Sequence, residues 1–272
     1  YSMSGTLSIP VKEEGFRPAW IVDGQQRAIA LSKCNKPDLP IPVVAFIADS
    51  LEVQREQFIR VNKTKPLPKG FIDELLPTIN GILPSDLDSR KIPSAITELL
   101  NFDPKSPFYG LIQKVSVENN ENFKPIIAHN SIITILKNSL NNTAGCLFPY
   151  VGVNNGETDL DSILKIIYTY WNCVKKVFND DWGIPSNQSR LMHGTGIYAI
   201  GALMETIMRN VNPDDKRIES RVLKELQKLK PYCKWSSGTW EELNLEWKDI
   251  QNIPLHKKLL TTYLIRQFNK EI

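Results

Sequence analysis

The apolar pattern of the chain changes at Pro66-Leu67-Pro68, and that change limits the folds open to it. Before it, short apolar runs alternate with helical spacing. Thr6-Leu7-Ser8-Ile9-Pro10-Val11 alternates and predicts an edge strand, because proline lacks the donor a central strand needs. Ala19-Trp20-Ile21-Val22 predicts a second strand; it stops at Asp23-Gly24, and Arg27-Ala28-Ile29-Ala30-Leu31 carries helical spacing. After the breakers Asn35-Lys36-Pro37-Asp38, residues 41–47 are apolar throughout and predict a strand buried on both faces. A helix is expected over 52–61. Strand, helix, strand, helix predicts a mixed α/β unit over residues 1–70.

After the prolines the spacing is helical. Residues 71–76, 92–100, 131–140 and 162–178 all show it, and Gly194-Thr195-Gly196 through Met204 predicts a helix packed closely through small residues. Two short candidates, 111–117 and 125–127, predict a hairpin, and 141–158, rich in glycine and asparagine, an exposed loop. The expected architecture is α+β, with a mainly helical C-terminal domain over residues 71–272.

A chain of 272 residues can bury a core without disulfide or metal staples. Hydrophobic residues at 42% and charged residues at 23% exclude a disordered chain, a collagen and a disulfide mini-scaffold. The net charge of +3 neither demands nor excludes a nucleic-acid partner. Apolar runs stop well short of the ~20 residues of a membrane helix, so no membrane partner is expected. Cys34, Cys146, Cys173 and Cys233 are scattered, as reduced thiols in a cytoplasmic protein are. His129, His193 and His256 lie too far apart to suggest zinc. The first residue is Tyr1, and the natural N-terminus is expected to lie upstream of it.

Chemistry concentrates in Asp23-Gly24-Gln25-Gln26-Arg27, where a strand turns through glycine into a helix. A helix N-terminus offers unpaired N–H groups and partial positive charge, and Gly24 lets an anion approach them. Arg27 supplies a planar fork suited to phosphate oxygens. Asp23 can hold magnesium, orient water or bind a ribose hydroxyl; Gln25 and Gln26 can read a base or position a nucleophile. These parts describe a nucleotide-phosphate site. The same residues also describe a plain capping box, Asp23 with Gln26 three positions on, that stabilises the helix by ~1 kcal/mol and does nothing else. Asn62, Lys63 and Thr64, at the end of the next helix, can face the turn with an amide, a cation and a hydroxyl. They read equally as a helix C-terminus with favourable cations, stopped by Pro66.

Residues 21–31 resemble the signature of the DGQHR/DGQQR-motif proteins, a branch of the ParB/sulfiredoxin-like superfamily. Phe58 to Pro68, Asp103 to Gly110 and Ser189 to Gly194 are similar to further blocks of that family, in order, so the resemblance spans most of the chain. It implies a ParB/sulfiredoxin-like N-terminal unit, incomplete at its start, that binds nucleotide phosphates at the turn. The glutamine variant also resembles the nucleotide-binding module of certain modification-dependent restriction systems. The best match within the family is the DpdB branch, from bacterial clusters that insert 7-deazaguanine derivatives into DNA. That implies an ATP-binding and ATP-hydrolysing component working with a DpdA-type DNA transglycosylase. Asp23 would then orient water or Mg2+, Gly24 cradle phosphate, Gln25 and Gln26 position substrate, and Arg27 neutralise developing phosphoryl charge. Asn62, Lys63 and Thr64 would complete the ATP site. Gln26 stands where many relatives have histidine, so no imidazole chemistry transfers. A related branch, DndB of phosphorothioation clusters, implies instead a DNA-binding transcriptional regulator. A non-catalytic scaffold for the modifying enzyme is the third reading.

Two more features bear on DNA. Lys216, Arg217, Arg221, Lys224, Lys228, Lys230 and Lys234 crowd one stretch that runs into Tyr232 and Trp235, a composition that suits phosphate neutralisation. Asp214, Asp215, Glu219 and Glu225 are interleaved, and the pattern is better read as a solvated helix face. His193, beside Arg190 and Gly194, is read as structural and not as a base.

Overall fold

The computed structural model describes residues 19–34, 36, 38–48, 50–62, 69–79, 83–116, 123–152 and 157–271, with the side chains of 62, 69 and 271 left aside. Contacts divide the chain into two compact units, residues 1–67 with 78–81, and 68–77 with 82–272. The described elements are α-helices and two small two-stranded sheets, an α+β protein that is mainly helical.

In the first unit, α1 spans Gln25–Ser32 and α2 spans Leu51–Asn62. Both helices lie where their apolar spacing predicts. The strands expected at 19–22 and 41–47 do not form: both segments lack regular hydrogen bonding. Val43, Val44 and Ile47 are 80%, 96% and 89% exposed, the opposite of a strand buried on both faces. Pro40 and Pro42 remove donors there, and an apolar run makes a strand only if a neighbour pairs with it. The edge-strand candidate at 6–11 lies outside the described residues.

The second unit holds a continuous core. α3 (Lys69–Leu75) is followed by α4 (Ser85–Phe102), which starts well before the predicted 92–100. Pro93 marks a helix start in the sequence yet sits buried inside α4. A proline cannot donate to the carbonyl four residues back. That carbonyl, Ser89 O, instead accepts from Asn141 Nδ2 at 2.9 Å, so a side chain from beyond the next helix fills the gap.

The predicted hairpin is also different. β1 (Ile112–Gln113) and β2 (Ile127–Ala128) pair in parallel, with Ile112 opposite Ile127. Both isoleucines are buried, and β2 runs directly into α5 (His129–Leu140), so the direction of that helix fixes the direction of the strand. The 141–158 segment is not wholly exposed: Cys146 and Leu147 are buried, closing the end of α5.

α6 (Leu160–Val177) starts at Asp159, whose carboxylate accepts from Ser162 N at 3.1 Å. Its buried stripe includes Ile163, Ile167, Tyr170, Trp171 and Val174. α7 (Gly194–Ile207) crosses α5 closely, since a Cβ on Gly201 would stand 2.8 Å from Ile135; the close packing expected of its small residues is present. α8 (Ile218–Leu229) packs on α6. A short antiparallel pair, β3 (Thr239–Trp240) with β4 (Leu245–Glu246), precedes α9 (Pro254–Glu271), which lies against α7.

Candidate functional site

The Asp-Gly-Gln-Gln-Arg turn is held together locally. Gly24 has φ 87° and ψ 19°, the left-handed conformation that glycine adopts without strain, and it starts α1 as its N-cap. The first helical bond runs from Ala28 N to Gly24 O at 2.8 Å, so the N–H groups of Gln25, Gln26 and Arg27 have no partner within the helix. The capping box does not form: the cap residue is Gly24, and no side chain caps the helix.

Asp23 instead accepts from Arg27 Nη2 at 3.1 Å. This draws the guanidinium over the glycine, where an added Cβ would meet Nη2 at 3.2 Å. Gln25 Nε2 donates to Ile21 O at 2.9 Å and so braces the incoming backbone rather than facing outward. Gln26 is exposed, with no hydrogen bond to its side chain among the described residues. The Arg27 and Asp23 side chains are 77% and 46% exposed, and an exposed i,i+4 pair is worth only ~0.3–0.5 kcal/mol. An incoming phosphate can displace Asp23 from Arg27 at little cost.

Mg2+ bound with a triphosphate needs one or two protein carboxylates, its other ligands being phosphate and water. Asp23, exposed at the start of α1, is one carboxylate that would suit such an ion. Among the described residues no cluster of three or more His, Cys, Asp or Glu forms a metal site. Lys63 and Thr64, with the Asn62 side chain, lie outside what the structure describes.

The other family-like blocks are structural where described. Asp103 ends α4; its carboxylate accepts from the Tyr168 hydroxyl at 2.7 Å and from Lys105 N at 2.9 Å, and the Tyr168 bond holds its pKa below the usual range. Arg190 donates through Nη2 to Lys248 O at 2.6 Å, and its backbone N–H donates to Trp235 O at 2.8 Å. Ser189 Oγ donates to Asp181 at 2.8 Å. His193 is the N-cap residue of α7; burial, then Arg190 and Lys257, push its pKa down to about 4. Its ring is neutral at neutral pH, in keeping with a structural role.

The basic stretch is a solvated helix face. Lys176 pairs with Glu219, Lys228 with Glu225 at 3.2 Å, and Arg217 with Asp215 at 3.4 Å, while Ile218, Val222, Leu226 and Leu229 are buried. Trp235 is 2% exposed in an edge-to-face stack with Trp240, so it is not a base platform.

Sequence reasoning missed a cleft of about 190 Å³ between α5 and α7, lined by Tyr198, Gly201, Ala202, Glu205 and Arg209 among others. The signal was present as helical spacing along α7, masked because the small residues read only as packing. No helix among the described residues is long and apolar enough to cross a membrane.

Comparison with curated proteins and with solved structures returned no match. The sequence profile of the DndB family, described as DNA-sulfur modification-associated, matches residues 1–271. With that match over essentially the whole chain, the protein belongs to the DndB family of DNA-sulfur-modification-associated proteins.

Proposed function

We propose that the chain is a DNA-binding, regulatory component of a DNA-modification cluster, contacting the phosphate backbone through its Asp23–Arg27 turn. The observation that carries this reading is the placement of Arg27 over Gly24 at the open start of α1. A planar cation and the unpaired N–H groups of the first turn thereby converge on one exposed spot. That arrangement takes a phosphate oxygen without reading sequence. Family membership supplies the DNA context.

A second reading, binding and hydrolysis of ATP with Mg2+, is favoured by Asp23. A carboxylate repels a bare phosphodiester but can share a metal ion with a triphosphate. Insertion of 7-deazaguanine derivatives with a DpdA-type transglycosylase is carried by the sequence resemblance alone. A scaffold role needs neither ligand.

One variant separates the two readings by sign. Asp23→Ala removes a negative charge from the site: it tightens binding to labelled duplex DNA if the turn holds backbone phosphate, and abolishes ATP turnover if the turn holds Mg2+ and triphosphate. Arg27→Ala weakens either ligand and, for DNA, lowers the slope of log affinity against log salt by about 1. Anisotropy titrations across salt, with an ATPase assay with and without Mg2+, read both. Affinity for DNA and for ATP unchanged in both variants would leave the turn a structural junction and remove this proposal.

A further inference from the structure

The Asp103–Gly110 block is structural through the residues it turns inward. Phe108 is fully buried and stacks edge-on against Trp171, with ring centroids 4.9 Å apart. Asn101, 2% exposed, accepts from Gly110 N through its carbonyl at 3.0 Å and from Ile112 N through Oδ1 at 3.0 Å. Asp103 is held by the Tyr168 hydroxyl and by Lys105 N. These bonds fix the loop, and none of them uses the side chain of Tyr109, which stays 40% exposed.

Tyr109 belongs to a row of three rings. Phe102, the last residue of α4, is 48% exposed. Phe123 links the two, its centroid 5.6 Å from that of Phe102 and 5.4 Å from that of Tyr109. Gly110 makes room for this middle ring: its φ of 67° is left-handed, and an added Cβ would stand 2.8 Å from Phe123 Cδ1. The backbone thus sets the row before any ligand arrives. Charge beside the rings is basic. Lys114 Nζ stands 5.0 Å from the Phe102 centroid, with Glu98 Oε2 at 2.8 Å. Lys105 and Lys124 are exposed and form no ion pair among the described residues. The Lys124 N–H donates to Gly110 O at 2.9 Å, which ties that lysine's backbone to the aromatic loop. The carboxylates of Glu98 and Asp103 already have partners in Lys114 and Tyr168.

We propose that the Phe102–Phe123–Tyr109 row stacks unpaired bases of single-stranded DNA, with Lys105 and Lys124 taking its phosphates. Contiguous aromatic surface left in water marks an interaction site, and the free cations beside it select a polyanion over an apolar protein face. Bases in a duplex cover one another and offer only their edges in the grooves, so exposed rings gain nothing from them. A single strand offers a flat π-face at every base, which aromatic side chains accept whatever the sequence. The inference rests on the DNA-binding reading above for its context, and adds a form of DNA that the Asp23–Arg27 turn does not distinguish.

Anisotropy titrations of the full chain against a labelled oligothymidine and a labelled duplex test this. Tyr109→Ala and Phe102→Ala should each weaken oligothymidine binding by about fivefold or more and leave duplex binding within about twofold. Tyr109→Phe keeps the ring and should restore the affinity for the single strand. Lys105→Ala with Lys124→Ala should lower the slope of log affinity against log salt by about 1.4 on the single strand, at ~0.7 for each phosphate contact. Both aromatic positions are exposed, so the variants should fold, and thermal melts check that they do. No binding of oligothymidine at micromolar protein, or unchanged affinity in folded Tyr109→Ala and Phe102→Ala, would overturn the proposal. So would equal losses on single strand and duplex. Self-association that Tyr109→Ala abolishes while oligothymidine affinity holds, read by analytical ultracentrifugation, would assign the row to a protein contact and overturn it as well. The result is separable from the turn's role: Arg27→Ala acts on the duplex, whereas Tyr109→Ala acts on the single strand alone.

Discussion

α1 and α6 are both helices that their apolar spacing announces, yet α1 buries no residue while α6 buries eight. The turn before α1 is organised by contacts within four residues, Asp23 to Arg27 and Gln25 to Ile21. α6 is organised at long range, by Tyr168 bonding Asp103 and Tyr170 bonding Ile200 O at 2.8 Å. A binding turn needs partners that exchange cheaply, so exposed, weak pairs suit it. A core needs partners that do not exchange, and buried side chains make them.

The largest expected effect follows from that contrast. Trp171→Ala, at 1% exposure and stacked edge-on against Phe108, should cost about 3–5 kcal/mol in denaturant unfolding. Ile29→Ala in α1, at 51% exposure, should stay within about 0.5 kcal/mol. A comparable loss at Ile29 would break the comparison, because it would mean that α1 depends on packing after all.

Acid should act on the helical unit next. Burial lowers the pKa of His129 and pushes that of His193 from 6.5 down to about 4. The unfolded chain therefore binds more protons between those values, and stability falls as pH drops from about 7 towards 4. Glu205, raised by burial, works in the opposite sense and moderates the fall. Thermal melts of His193→Asn should show a shallower loss over that range than the parent chain. An identical slope would remove His193 from the account.

The smallest effect concerns α8. Lys224→Glu with Lys228→Glu replaces two cations on a face where Lys228 already serves Glu225. Affinity for DNA should fall less than in Arg27→Ala, with the salt slope nearly unchanged. A slope lowered by about 2 would sharpen the comparison differently, placing phosphate contacts on the second unit as well.

How far the sequence reached depended on the range of the interactions involved. Helices α6 and α7 were legible because a 3.6-residue apolar period needs no knowledge of the partner. The turn at 23–27 was legible as a glycine turn into a helix, since those features lie within one helical turn. The same segment also read as a capping box, and only the left-handed φ at Gly24 decided against it. Tertiary structure alone decided the rest. Pro93 stays inside α4 because Asn141 accepts the task of its missing donor from a distant segment. Ile127 pairs in parallel with Ile112 because α5 sets its direction. Residues 41–47 form no strand, because apolarity by itself supplies no partner for the backbone to pair with. Glu205 and Arg209 become a cleft only when the 142–145 loop is brought against them. A local period is written in neighbouring residues, whereas a partner for a carbonyl, a strand or a carboxylate is supplied by residues far along the chain, and only folding brings them together.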